Sequence, residues 1–99
     1  MVYFVVTVCF DETREIQAYK DYIQMVKPIV ERYHGRYIVR SETITPLSTK
    51  WQPERVIIIE FDTREQLDAC FSSQEYRSIA SLREQSVDSR AIIVEAQET

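Results

Sequence analysis

The chain has one glycine, Gly35, in 99 residues. A sequence this poor in glycine holds no GxGxxG turn, no P-loop and no GxSxG elbow, and HExxH is missing too. Two cysteines, Cys9 and Cys70, lie far apart in apolar surroundings without CxxC spacing. They read as small buried hydrophobes, with a disulfide or reactive thiol as the rarer alternative. The sole histidine, His34, and scattered carboxylates give no metal-ligand spacing. His34 has no orienting partner that would make it a general base. Beside Gly35 it reads as an exposed helix-end residue. No metal or cofactor is expected. The 12 basic residues do not cluster, and 16 acidic ones give a net charge of −4. No stripe could neutralise a run of phosphates, so nucleic-acid binding is not expected, and negative charge disfavours an anionic membrane. The apolar run Val2–Phe10 is too short to span a bilayer and has no basic segment before it. A cytoplasmic location is the default expectation.

What is present describes a soluble globular domain spanning residues 1–99, 44% hydrophobic and 28% charged. Val2–Phe10 is β-branched and aromatic throughout, as a strand covered on both faces would be. Asp11-Glu12-Thr13 offers turn and N-cap chemistry. Over residues 14–33, Ile16, Tyr19, Ile23, Val26, Val30 and Tyr33 fall on one helical stripe, widened by Tyr22, Met25 and Ile29. Pro28 predicts a kink or restart within it. Gly35 follows as a left-handed C-terminal cap would. A second strand is expected over 36–45, a long connection over 46–53, and a third strand over Arg55–Phe61. Thr63-Arg64-Glu65-Gln66 fits a capping box ahead of a short helix carrying Leu67, Cys70 and Phe71. A further helix is expected over 75–86 and a last strand over 91–95.

The order βαββαβ is α+β and ferredoxin-like: a four-stranded antiparallel sheet with its helices on one face. The sheet's other face is still apolar on strands one, three and four. A second copy of the chain is the economical cover, which predicts a homodimer through the sheet.

Alternation locates polar residues on that face. In the third strand Ile57, Ile59 and Phe61 suit the helix-covered side, leaving Val56, Ile58 and Glu60 on the other. Taking the more polar set from each strand gathers Thr7, Arg40 and Glu60. An Arg40–Glu60 pair would be either a solvent-exposed rim salt bridge, the commoner arrangement, or a buried pair facing a ligand. Tyr76 and Arg83 are seven residues apart, so they share a helix face. Tyr76 could offer its hydroxyl to a pocket, although a core aromatic is the commoner role, and Arg83 could bind an anion or merely an acid such as Glu54. Trp51 either lids a pocket or covers the dimer seam, the seam being favoured.

Several segments together resemble a known family: Gly35-Arg36-Tyr37-Ile38-Val39-Arg40, then Trp51-Gln52-Pro53-Glu54-Arg55 leading into Val56–Phe61, Ser73-Gln74-Glu75-Tyr76, Leu82-Arg83, and Ile92-Ile93-Val94-Glu95. The chain is similar over nearly its whole length to the family catalogued as domain of unknown function 1330. That resemblance implies the dimeric α/β-barrel superfamily, which includes cofactor-independent monooxygenases, small-lactone isomerases, haem-dependent enzymes and stress-responsive proteins. Arg40, Glu60, Tyr76 and Arg83 match recurrent family positions, none with an established catalytic role. The chain departs at His34-Gly35, where members often carry two glycines, and at Ser41-Glu42, where they carry small residues.

Three functions follow as expectations. The first is a small dimeric barrel binding an organic acid or aromatic ligand in a chamber between sheet and helices. Its candidate ligand-binding residues are Arg40, Glu60, Tyr76, Arg83, Thr7 and Trp51. The second is cofactor-independent oxidation or isomerisation of a small substrate with Glu60 as base. The third is a structural or regulatory dimer with its barrel packed solid by Tyr3, Ile58 and Ile93.

Overall fold

The computed structural model describes residues 1–11 and 13–97. The elements are β1 (Val2–Phe10), α1 (Ile16–Arg32), β2 (Arg36–Ser41), β3 (Arg55–Phe61), α2 (Arg64–Ser72), α3 (Gln74–Arg77), α4 (Ala80–Ser86) and β4 (Val87–Glu95). The strands form one sheet in the order β2-β3-β1-β4, antiparallel throughout. This is the expected ferredoxin-like arrangement. The second crossover breaks into three helical pieces rather than two. β4 begins at Val87, directly where α4 ends, and β2 stops at Ser41.

Burial follows the strand period. Val2, Val6 and Val8 of β1 and Ile59 and Phe61 of β3 are buried on the helix side. They meet Tyr19, Tyr22, Val26, Ile29 and Val30 of α1. The α1 stripe is thus rotated from the expected one, since Ile16 and Met25 are exposed. Helix α1 runs unbroken through Pro28. The carbonyl that loses its donor belongs to Gln24, on the exposed side, where water can replace the missing bond.

Helix ends show which local signals operate. Thr63 and Gln66 close the capping box: Thr63 Oγ1 accepts from the Gln66 amide at 3.2 Å and Gln66 Oε1 from the Thr63 amide at 3.4 Å. The first turn differs from expectation. The N-cap of α1 is Glu15, without a side-chain cap. Asp11 Oδ1 instead accepts from the Thr13 amide at 2.9 Å and the Thr13 hydroxyl at 2.6 Å. Glu12, part of that expected cap, lies outside the described residues.

At the C-terminus of α1 the left-handed residue is His34, at φ 69°, not Gly35. The His34 amide donates to the Glu31 carbonyl and the Gly35 amide to the Val30 carbonyl, the two bonds of a Schellman motif. Gly35 is needed for space instead. A Cβ there would lie 2.5 Å from Val30 Cγ1 and 2.9 Å from the Phe61 ring. His34 carries the backbone penalty that a glycine would avoid. His34→Gly is therefore expected to raise stability by about 0.5–1 kcal/mol, less glycine's extra freedom in the unfolded chain. A urea midpoint that falls would contradict this.

Both cysteines are free. Cys70 is fully buried, and burial pushes its thiol up to about 11, which leaves it inert at neutral pH. Cys9 is half-buried on the sheet face away from the helices.

Candidate functional site

A cavity of about 270 Å³ lies between sheet and helices. Its walls include Phe4 and Val6 from β1, Ile57 and Ile59 from β3, and Ala91 from β4. Tyr19, Tyr22, Tyr37, Phe71, Tyr76 and Arg83 complete them with the polar groups. The helices supply most of the cavity's polar groups. The α1 period brings Tyr19 and Tyr22 to the sheet. The start of α3 at Ser73, whose Oγ accepts from the Tyr76 amide at 3.1 Å, aims Tyr76 inward.

Aromatic rings make a continuous wall. Phe10 meets Tyr19 edge-on at 5.9 Å, Tyr19 stacks on Tyr22 at 6.1 Å, and Tyr22 meets Tyr76 at 6.3 Å. Tyr76 contacts Phe71 at 5.0 Å, which stacks on Phe4 at 4.3 Å. Such pairs stabilise by about 0.5–1.5 kcal/mol beyond burial. The Tyr22 and Tyr76 hydroxyls share a hydrogen bond of 3.0 Å. Burial and the neighbouring Tyr76 push the Tyr22 phenol far above its ordinary range, and burial pushes Tyr37 up to about 12. Both are proton donors, never bases, at neutral pH.

Arg83 is the charged residue of the chamber. Its Nη1 donates to Ser89 Oγ at 2.7 Å, while Nε is buried without an acceptor. Burial works against the guanidinium charge, but Tyr76 and Tyr22 outweigh it and the net push is upward. Arg55 is similarly placed outside the cavity wall. Its side chain is 12% exposed, Nη1 lies 3.4 Å from Glu42 Oε1, and Nε also lacks an acceptor. Burial raises the Tyr19 phenol, and Arg55 and then Arg83 pull it back, so that hydroxyl lies within reach of both cations.

Tyr76 and Arg83 are thus brought together. Arg40, Glu60, Thr7 and Trp51 are not brought to them. A register shift between Tyr37 and Val39 adds one residue to β2. Beyond the bulge Val39 opposes Ile58 and Arg40 opposes Ile57, so Arg40 turns to the helix side at the sheet edge. There its guanidinium lies 5.7 Å from the Tyr37 ring centroid. The expected Arg40–Glu60 pair does not form.

Glu60 stays on the open face and pairs with Arg36 instead. Arg36 Nε and Nη2 donate to Glu60 Oε1 at 3.1 and 2.9 Å, and Nη2 also reaches Asp62 at 2.8 Å. The Arg36 and Asp62 side chains are about half exposed, which makes this a rim network of modest strength. The sheet separates Glu60 from the chamber, which leaves it no role as a base there. Thr7 and Trp51 line a second groove on the open face with Val5, Cys9, Arg90 and Ile92. Trp51 is 54% exposed above it, a position suited to a seam.

Sequence reasoning misses Tyr19, Tyr22, Tyr37 and Arg55 as site residues. Arg55 shares the parity of Ile57, Ile59 and Phe61, so strand alternation alone marks it as facing the helices. The tyrosines carry no signal that separates a cavity wall from a packed core.

Among the described residues no group of three or more His, Cys, Asp or Glu side chains gathers where a metal could sit, and no helix is long and apolar enough to cross a membrane. Helices on one face of a four-stranded antiparallel sheet, with a chamber between the layers, define a ferredoxin-like α+β protein. The family described as domain of unknown function (DUF1330) matches residues 1–97, and the chain belongs to it. No curated protein matches the sequence. A protein of unknown function from Rhodopseudomonas palustris shares the fold with a TM-score of 0.81 at 18% identity, over 99% of this chain and 83% of that one. SnoaB, a cofactor-independent oxygenase from Streptomyces nogalater, superposes with a TM-score of 0.67 at 14% identity, over 99% and 94%. A dimeric protein of unknown function and ferredoxin-like fold from Bacteroides fragilis gives 0.59 at 9%, over 96% and 95%.

Proposed function

We propose that the protein is a homodimer, closed through the open sheet face, whose chamber binds a small aromatic or organic acid. The carrying observation is the 270 Å³ cavity, walled by aromatic rings and holding hydroxyls and a guanidinium. Ligand sites are typically apolar hollows with a few convergent polar groups. Arg83 holds an anionic group and Tyr76 donates a hydrogen bond; Arg40, Glu60, Thr7 and Trp51 leave the candidate chamber set. The dimer is supported by the apolar open face and by the dimeric Bacteroides fragilis fold relative.

A thermal-shift screen of small aromatic acids tests the chamber. Saturation at a hundred times the dissociation constant adds about 2.7 kcal/mol, a visible rise in melting temperature. Ala91→Leu, which places a larger side chain in the wall, is expected to abolish the rise while leaving the unliganded protein folded. A rise that persists in Ala91→Leu would place the ligand elsewhere.

The likeness to SnoaB favours a second reading, cofactor-independent oxygenation of a small substrate. The residues lining the chamber include no carboxylate, imidazole or thiol. A substrate in it would have to lose its proton without a protein base. Turnover unchanged in Glu60→Gln is the outcome consistent with the geometry. The open chamber speaks for either reading over a solid barrel: Tyr3 and Ile58 lie on the other sheet face, and Ile93, on the helix side opposite Phe4, is not among the lining residues.

A further inference from the structure

The chamber's charge inventory narrows its ligand. Among the residues that line it, Arg83 is the single ionic one. Its guanidinium is only partly used. Nη1 is held by Ser89 at 2.7 Å, and Nη2 lies 3.8 Å from Glu84, whose carboxylate is mostly in water. Nε–H is a buried donor with no acceptor. An orphaned charged donor beside a cavity favours an incoming acceptor, and an anion more than a neutral one.

The other polar groups complement this. Tyr22 and Tyr76 share one hydrogen bond of 3.0 Å, so one of the two O–H groups is left to donate elsewhere. Nothing in the wall offers a negative charge to a ligand cation. Apart from the Tyr19 and Tyr37 hydroxyls the remaining wall is apolar, with Phe71 stacked on Phe4 beside Ile57 and Ile59. The volume sets the size. A dry apolar cavity of about 150 Å³ accommodates benzene. One of about 270 Å³ holds a single ring with a short substituent.

We propose that the chamber receives a single-ring aromatic monoanion of the benzoate or phenolate kind, its ionised oxygen taken by Arg83 and the tyrosine hydroxyls and its ring set against Phe4 and Phe71. This rests on the reading of the chamber as a ligand site. A second negative charge on the ligand would face apolar walls, and a cation would meet Arg83. A neutral ring of the same shape would leave the Nε donor poorly matched.

Calorimetric titration of the intact protein with benzoate, benzamide, benzylamine and phthalate tests this. Benzoate is expected to bind at least tenfold more tightly than benzamide, phthalate more weakly than benzoate, and benzylammonium not at all. Arg83→Gln should bring benzoate down to benzamide, and Arg83→Lys should keep part of the preference. Equal binding of benzoate and benzamide by the wild-type protein would overturn the charge assignment and leave the chamber reading standing. So would a preference that survives in Arg83→Gln. If no member of the panel binds, both fall.

Discussion

Ile92→Glu is expected to turn a dimer into a monomer. Ile92 is 62% exposed and faces away from the helices, opposite Val5 of β1. Across the sheet the open face also carries Val39, Val56, Ile58 and Val94, two of them exposed. An apolar sheet face of this kind is the commonest signature of an association surface. In a two-fold dimer the same residue contributes twice. Burying an isoleucine is worth about 1.5–3 kcal/mol, so losing two costs roughly 3–6 kcal/mol before any charge is counted. At about 1.4 kcal/mol per tenfold, dimer affinity drops at least a hundredfold.

Sedimentation should give twice the chain mass for the wild-type protein and the chain mass for the variant. Thiol labelling gives a second readout. Cys9 sits in the Trp51 groove on the same face, so it should label faster once the face opens, while Cys70 stays protected. A wild-type protein that sediments as a monomer, or an Ile92→Glu variant that remains a dimer, would remove the sheet face as the interface.

Phe61→Ala is expected to be the most damaging core substitution. Phe61 is 0% exposed, its ring meets Phe71 edge-on at 6.2 Å, and it fills the space that Gly35 leaves open. Truncating a buried phenylalanine costs about 3–5 kcal/mol, against a total stability of roughly 5–15 kcal/mol for a domain. At about 4–8 °C per kcal/mol for a chain of this length, the melting temperature should fall by about 12 °C or more. Phe61→Leu should lose much less, because it keeps most of the volume. A drop of only a few degrees in Phe61→Ala would mean that the β3–α1 joint can collapse onto the gap.

The element order was legible because its signals are local and periodic. The β-branched runs Val2–Phe10 and Arg55–Phe61, the stripe of α1 and the Thr63–Gln66 box each name an element without help from distant residues. The parity of β3 correctly put Glu60 opposite the core face. What failed depended on register. One extra residue in β2 is invisible in its composition, yet it carried Arg40 to the other side of the sheet and left Glu60 to Arg36.

Gly35 misled for a related reason. A lone glycine after a helix suggests a positive φ, but here the missing side chain serves the contact with Val30 and Phe61. His34 takes the strained position. A second glycine in place of His34 would satisfy both demands at once. The chamber was half legible. Tyr76 and Arg83 share a face by spacing, whereas Tyr19, Tyr22 and Tyr37 look like ordinary core aromatics until the cavity beside them is seen.

The central claim is that the space between sheet and helices is a ligand site. A crystal structure of the protein grown with benzoate tests it most directly. Density is expected for the ring against the stacked Phe4–Phe71 pair, with the carboxylate at Arg83 and the Tyr76 hydroxyl. A chamber closed by inward movement of Tyr22 and Phe71, with benzoate absent or bound only on the outer surface, would contradict it.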